Sequence, residues 1–193
     1  APASKSSIAW QMASSDAEVD KAFALAKKSG KPVFLYWGAV WCPPCNQVKA
    51  TLFSRPDFVE RSRAFVPVYV DGDKPGAQKV ASRFKVSGYP TMILFKPDGS
   101  EITRLPGEVD PQRYLLTLTS AMSAQVPVKE LLRRGLAKQS LTPEQWRMLA
   151  FYSWDTDEQQ VLKTSELALR LTELAASVPA DLADVRGRLA VKA

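Results

Sequence analysis

Short apolar runs alternate with amphipathic stretches over the first 124 residues of the chain. Three runs are too brief for helices and are therefore predicted to be buried strands. They span residues 32–37, 65–71 and 91–96. Pro67, inside the second run, cannot donate a backbone hydrogen bond to a neighbouring strand. After the third run, Pro97-Asp98-Gly99 predicts a tight turn, with residues 101–105 as the partner strand of a hairpin.

The stretches between these strands have helical periodicity. The first extends from Ser15 to Lys28, and its Ser15–Glu18 spacing is that of a capping box. Further helices are predicted after Cys45, after Ser54, over residues 74–85 and after Asp110. Because strands separated by helices usually pair in parallel through right-handed crossovers, we expect an α/β fold. Its mixed sheet ends in the antiparallel hairpin and carries helices on both faces.

The pattern changes after residue 124, where every amphipathic stretch has the period of a helix. Helices are predicted over residues 126–139, 141–154 and 156–178, and no strand pattern returns. Thr142–Gln145 and Thr156–Gln159 both have capping-box spacing. We therefore predict two domains, residues 1–124 with the mixed sheet and residues 125–193 as an all-α module.

Composition excludes several classes of protein. The net charge is +6, but the basic residues are scattered and form no stripe, which argues against a nucleic-acid partner. No apolar run approaches the roughly 20 residues of a membrane span. The opening residues, APASKSS, lack the basic head and apolar centre of a signal peptide. They are equally compatible with the start left by signal cleavage and with a trimmed chain.

The chain has two cysteines, and they stand three residues apart in Trp41-Cys42-Pro43-Pro44-Cys45. Zinc needs about four ligands and the chain has no histidine, so an intrachain zinc site is excluded. Covalent haem and iron–sulfur clusters lack their ligands as well. We predict no metal and no cofactor. A purely structural disulfide would close a ring of four residues and stabilise the fold by only about 2 kcal/mol, against about 3 kcal/mol for a fifteen-residue loop. Redox chemistry is the favoured interpretation.

A helix that begins at this motif would bring both sulfurs within disulfide distance. Pro44 suits the first helical turn, where its missing N–H costs no intrahelical hydrogen bond. The unpaired N–H groups of that turn favour a thiolate at Cys42. We therefore predict Cys42 as the nucleophile that attacks a partner's disulfide and Cys45 as the resolving thiol.

Residues 15–123 resemble the thioredoxin superfamily. The resemblance rests on the strand before the Cys-Pro-Pro-Cys motif, on VYVD, on VSGYPT with Pro90, and on the hairpin followed by Gly107 and a helix. It implies a cis-proline at Pro90 and a substrate-binding surface formed by Trp41, Tyr89 and Pro90. The layout is most similar to the reducing C-terminal domain of DsbD-type proteins, which implies a bacterial periplasmic or secreted location and protein disulfide or dithiol partners.

The sequence departs from this family at two positions. The buried aspartate expected before the motif is Tyr36, and its partner lysine position corresponds to Pro67. Both side chains that could take part in proton transfer at Cys45 are therefore missing from their usual positions. Pro43 and Pro44 add no charge near the thiolate, so we expect a disulfide reductase or electron relay. A disulfide oxidase or isomerase and a non-catalytic binding module are the alternatives.

The C-terminal module is unusually aromatic. Trp146, Phe151, Tyr152 and Trp154 are predicted to pack in its core. The alternative is an aromatic groove that receives a partner helix or peptide.

Overall fold

The structure is a computed structural model, and it describes residues 7–105, 110–156 and 161–193. Its strands are β1 (Gln11–Ala13), β2 (Val33–Gly38), β3 (Val66–Asp71), β4 (Thr91–Phe95) and β5 (Glu101–Leu105). Its first five helices are α1 (Asp16–Ser29), α2 (Pro43–Val48), α3 (Pro56–Ser62), α4 (Ala77–Phe84) and α5 (Pro111–Ala124). A π-helical turn, Lys49–Phe53, continues α2.

Four more α-helices follow, which are α6 (Val128–Leu136), α7 (Pro143–Ala150), α8 (Leu167–Ser177) and α9 (Ala183–Lys192). Two short 3₁₀ turns, Trp154–Thr156 and Thr164–Glu166, precede α8. The helix predicted over 156–178 is therefore wrong in part. Residues 161–163 are not helical, and Thr164–Glu166 forms a 3₁₀ turn. Residues 157–160, with most of the second capping box, lie outside the described residues, as does Gly107.

The sheet has the strand order β1-β3-β2-β4-β5. β1, β3 and β2 run parallel, and β4 is antiparallel to both β2 and β5. The mixed sheet is confirmed, but the parallel pairing expected for β4 is wrong. After α4 the chain turns through residues 85–90 and enters the sheet where β2 ends, so that Thr91 pairs with Trp37. This reversal places Pro90 beside the residues that lead into the cysteine motif.

Pro67 lies inside the sheet without interrupting it. Val66 and Gly72 donate their N–H groups to carbonyl oxygens on the β2 side of β3. Because donors alternate along a strand, the nitrogen of Pro67 points to the other side. There β1 begins only opposite Val68, so β1 requires no hydrogen bond from Pro67.

Both faces of the sheet are covered by helices, as predicted. All six residues of β2 are buried, because alternate side chains enter two different hydrophobic clusters. Val33, Leu35 and Trp37 pack on the face that carries α1 and α4. Phe34 and Tyr36 pack on the face that carries α2, α3 and α5.

Local capping signals explain where two of the helices begin. Ser15 caps α1 by accepting the Glu18 N–H, and Gly30 ends the helix with φ 68°. Thr142 and Gln145 form a complete capping box at α7.

The C-terminal helices pack directly on the sheet-containing part. α6 contacts β5 and α7 contacts α5. The Ser153 N–H donates to the Arg104 carbonyl oxygen at 3.1 Å. The four aromatic residues of the tail are buried, as core packing requires. One hydrophobic cluster runs from the sheet into these helices, so the two predicted domains share a core. The domain boundary near residue 125 therefore stays a prediction.

Candidate active site

The cysteine motif lies where β2 passes into α2. Cys42 is the N-cap residue, and its Sγ accepts the Cys45 N–H at 3.2 Å. Pro43 and Pro44 occupy the first two helical positions, where backbone N–H groups have no intrahelical acceptor. The motif therefore begins a helix without losing a hydrogen bond, as the sequence predicted.

The two cysteines form a disulfide whose Cα atoms are 5.2 Å apart. Both cysteines are buried, Cys42 with 3% of its surface exposed and Cys45 with none. Both belong to the hydrophobic cluster that lies beneath α2.

Trp41, directly before the motif, is 62% exposed but held in one orientation by two contacts. Its indole N–H donates to Asp73 Oδ2 at 2.8 Å. Its ring meets the edge of Tyr89 at a centroid distance of 5.4 Å. The sequence analysis did not select Asp73, whose own backbone N–H donates to Asp71 Oδ1 in the turn after β3.

Tyr89 connects the motif with the loop before β4. Its ring stacks on Trp37 at 5.6 Å with an interplanar angle of 9°. Its hydroxyl lies over Gly72, where an added Cβ would stand only 2.1 Å away. Partial burial raises the pKa of Tyr89, and the charges of Asp73 and Asp71 raise it further. Tyr89 is therefore an uncharged phenol at neutral pH.

The peptide bond between Tyr89 and Pro90 is cis. Pro90 and Pro44 line the same cavity, so the loop before β4 lies next to the first turn of α2. The structure thus brings together all five residues that the sequence analysis selected: Trp41, Cys42, Cys45, Tyr89 and Pro90.

Tyr36 occupies the strand position where the family has an aspartate, and it is fully buried. Burial raises the pKa of its phenol well above 10, and the neighbouring Tyr69 raises it further. No hydrogen-bond partner for its hydroxyl is found within the described part of the chain. Tyr36 therefore keeps its proton at neutral pH and is no substitute for a carboxylate base.

Lys49 is a cation close to this position, and sequence reasoning did not select it. Its ammonium nitrogen lies 6.0 Å from the centre of the Tyr36 ring and 5.1 Å from that of Tyr69. Lys49 follows Cys45 by four residues, and the backbone N–H of Lys49 donates to the Cys45 carbonyl oxygen. The spacing in the helix was visible in the sequence, but the ring contacts were not.

Comparison with known proteins agrees with this geometry. A family model described as a thioredoxin-like domain matches residues 19–121, more than half of the chain. The chain belongs to the thioredoxin-like family. The matched part contains both cysteines, Trp41, Tyr89 and Pro90, whereas α6 to α9 follow it.

Two relatives and one solved structure illustrate the likeness. A thiol:disulfide interchange protein DsbD of Pseudomonas fluorescens is 32% identical over 121 residues, which are 61% of this chain and 21% of that protein. A thioredoxin of Mycolicibacterium smegmatis is 33% identical over 94 residues, covering 49% of this chain and 81% of that one. A thioredoxin structure from Thermus thermophilus has a TM-score of 0.52 at 28% identity and covers 62% of this chain and 92% of its own. The chain therefore spans about a fifth of the DsbD relative.

Proposed function

We propose that the protein is a thiol–disulfide oxidoreductase that reduces disulfides in partner proteins. The observation that carries the proposal is the Cys42–Cys45 disulfide at the first turn of α2. The fold and the family support it.

In the reduced protein, the Cys42 thiolate attacks one sulfur of a partner disulfide and the other partner sulfur leaves as a thiolate. A mixed disulfide now joins the two proteins. Cys45 loses its proton and attacks Cys42, which closes the internal disulfide and releases the second partner thiol. Two electrons pass to the partner, whose leaving thiolates take up two protons. A dithiol reductant must then restore the Cys42–Cys45 pair.

The geometry favours a thiolate at Cys42. A thiol of pKa near 8.5 is only about 3% ionised at pH 7, and lowering its pKa by 1.5 units takes about 2 kcal/mol. A helix N-terminus supplies roughly 0.3–1 kcal/mol, and up to about 2 kcal/mol when partly buried. The N–H of Cys45, which points at Cys42 Sγ, is one such backbone donor.

The direction of electron flow is inferred from the two prolines. Strongly oxidising members of the superfamily stabilise the thiolate with a charged or donor group between the cysteines. Pro43 and Pro44 carry neither, so the thiolate is less stabilised and the dithiol is a better reductant. This favours a reductase or an electron relay over an oxidase or isomerase.

Trp41, Tyr89 and Pro90 are proposed to bind the substrate around its disulfide. Trp41 is exposed beside Cys42, and its bond to Asp73 fixes its indole ring in place. The Tyr89 ring contacts the Trp41 ring, and Pro90 lies next to the first turn of α2. Together they lie near the first turn of α2, which begins at Cys42.

The likeness to DsbD proteins supports a bacterial periplasmic or secreted location with protein disulfides or dithiols as partners. In the described residues, no helix combines the length and apolarity that a membrane crossing requires.

The test uses the two single-cysteine variants. Cys45→Ser should trap partners as mixed disulfides, because Cys42 still attacks but nothing resolves the product. Cys42→Ser is the matched control and should trap none, since the proposed nucleophile is missing. Both variants should lose turnover of a protein disulfide such as that of insulin. Trapping that is equal in the two variants, or absent from both, contradicts the proposal.

Equilibration of the wild-type protein with glutathione buffers tests the direction. A reductase should have a potential far more negative than about −120 mV, the value typical of a strong oxidant. A value close to about −120 mV would assign the protein to the oxidases instead.

A further inference from the structure

Arg104, on β5, is the one charged residue that is buried within the described part of the chain, with 2% of its surface exposed. Burying a guanidinium costs free energy unless hydrogen bonds and an opposite charge compensate it. The exchange reaction proposed above does not use Arg104. Its contacts therefore indicate what this costly burial supports.

The guanidinium of Arg104 joins β5 to a segment that lies 19 and 20 residues earlier in the chain. Its Nε donates to both carboxylate oxygens of Glu101, at 3.2 and 3.1 Å, and Nη2 donates to Oε1 at 3.0 Å. Nη1 donates to the Lys85 carbonyl oxygen at 2.9 Å, and Nη2 also donates to the Phe84 carbonyl oxygen. Glu101 thus neutralises and orients the guanidinium, while its outer nitrogens bind backbone.

The two carbonyl groups belong to the end of α4. Phe84 is the last residue of this helix, and Lys85 is its C-cap residue with φ 52°, a conformation that few residues other than glycine adopt. The last carbonyl groups of a helix lack intrahelical donors and carry partial negative charge, so a cation stabilises them. Arg104 therefore fixes the point at which the chain leaves α4.

The loop that leaves this point, residues 86–90, ends in Tyr89 and Pro90 of the proposed substrate-binding surface. At this far end, Thr91 Oγ1 donates to the Gly88 carbonyl oxygen at 2.7 Å. Thr91 is also the first residue of β4 and pairs with β2. The far end of the loop is therefore attached to the sheet.

The near end of the loop is held by Arg104 through the backbone carbonyl oxygens at the end of α4. Because the loop is short, a shift of Lys85 is transmitted along the backbone towards Pro90. Tyr89 would respond to such a shift, since its ring lies nearly parallel to that of Trp37, with an interplanar angle of 9°.

We propose that Arg104 is a positioning residue for thiol–disulfide exchange, whose guanidinium holds Tyr89 and Pro90 where a docked substrate chain needs them. The inference rests on the proposed function and adds a residue that acts through the loop rather than on the sulfurs. It depends on the planar fork of the guanidinium, because the single ammonium of a lysine cannot bind a carboxylate and two carbonyl oxygens in the same way.

The test uses Arg104→Lys, which keeps the charge and removes the fork. The reduced proteins are mixed with insulin and, separately, with hydroxyethyl disulfide, and rapid acid quenching gives each second-order rate constant. Insulin must dock on the loop, whereas the small disulfide needs only the Cys42 thiolate. The rate constant for insulin should fall about tenfold, because even a small misplacement of a docking group is costly. The rate constant for hydroxyethyl disulfide should stay within about twofold of the wild-type value.

Glu101→Gln is a milder second variant, which leaves Arg104 in place but weakens the bonds that orient it. It should cause a selective loss of about threefold with insulin, since hydrogen bonds to a charged acceptor are roughly twice as strong as neutral ones. Urea denaturation confirms that each variant is folded under the assay conditions. If Arg104→Lys does not fold, the insulin rate constant of Glu101→Gln decides, and an unchanged value overturns the inference.

Arg186→Lys is the matched control, because Arg186 Nη2 donates to the carbonyl oxygen of Val178, the C-cap residue of α8. The same substitution at this similar contact should leave both rate constants within about twofold of the wild-type values. Equal slowing of both disulfides by Arg104→Lys, no slowing, or an equal selective loss in Arg186→Lys overturns the inference and leaves the proposed function standing. Failure of the wild-type protein to reduce either disulfide contradicts the proposed function itself.

Discussion

The two faces of the sheet are closed in different ways. On one face, the side chains of β2 meet α1 and α4, and that cluster lies within residues 13–95. On the other face, Phe34 and Tyr36 belong to a cluster that also contains both cysteines. This second cluster continues through Leu118 of α5 into Leu149 and Trp154 of the tail. The face that carries the cysteines is therefore the face that shares its interior with the C-terminal helices.

This difference changes how the tail is understood. A separate appendage could lose its own packing without affecting the cysteine site. Here the apolar contacts of α6 with β5 and of α7 with α5 form one interior with the active-site face. We therefore expect a change in the core of the tail to destabilise the face that carries the cysteines directly. The face that carries α1 and α4 should be affected only indirectly, through the sheet.

The largest effect is expected from Trp154→Ala. Trp154 is 2% exposed and its indole N–H donates to the Leu149 carbonyl oxygen at 2.6 Å. Removing this side chain leaves a cavity and an unpaired carbonyl, which should lower the free energy of unfolding by about 3–5 kcal/mol. Urea denaturation followed by circular dichroism measures this loss. If the two parts share one interior, the variant still unfolds in a single transition.

Leu169→Ala serves as the control, because Leu169 lies on α8 and is 60% exposed. Its free energy of unfolding should stay within about 0.5 kcal/mol of the wild-type value. An early partial transition in Trp154→Ala, with the rest of the protein unfolding at the wild-type midpoint, would show that the tail unfolds independently.

A smaller effect is expected from removing one helix cap in each region. Asp110 accepts the N–H groups of Gln112 and Arg113 at α5, and Thr142 accepts that of Gln145 at α7. Asp110→Ala and Thr142→Ala should each cost about 1 kcal/mol. In a shared cooperative unit, both variants lower the same urea midpoint. Separate midpoints for the two variants would contradict the shared interior.

The smallest effect is a pH dependence that belongs to the tail. Hydrogen bonds from Arg133 and Arg134 on α6 lower the pKa of Glu130 from its usual 4.5 to about 2. Since the pKa is lower in the folded state, the ionised carboxylate stabilises the fold above pH 4.5, and this contribution is lost as the pH falls towards about 2. About a third of the Glu130 side chain is exposed to solvent (36%), so the change is small.

Urea denaturation of the wild-type protein and Glu130→Gln at pH 6 and pH 3 measures this contribution. The difference in unfolding free energy between the two should shrink at the lower pH. Replacing Arg133 and Arg134 together by Gln should remove the same pH dependence. A difference that does not change with pH would show that the ion pairs add nothing to stability.

Much of the fold follows from local patterns. β2, β3 and β4 are short apolar runs, and the caps at Ser15 and Thr142 depend on residues three positions apart. β1 was missed because it has three residues, of which Ala13 alone is buried, and so short a segment has no measurable period. α9 was missed as well, although Val185 and Leu189, both buried, stand four residues apart.

The cysteine chemistry was predictable because its parts are neighbours in the chain. Cys42 and Cys45 lie within one helical turn, and the prolines between them place that turn at the start of a helix. Contacts between distant residues carry no such signal. The bond between Trp41 and Asp73 spans 32 residues, and the antiparallel entry of β4 depends on the path of the chain after α4.

By itself, then, the sequence determined β2 to β5, most of the helices and the pair of thiols at a helix start, because backbone sterics, side-chain periodicity and capping act over a few residues. Only the tertiary structure decided that Tyr89 packs against Trp37 and Trp41, that Tyr36 is a buried phenol, and that residues 152–156 border the same cavity as Pro44 and Pro90. Those features arise from the burial of apolar surface between segments far apart in the chain, and no local pattern encodes which segments will meet.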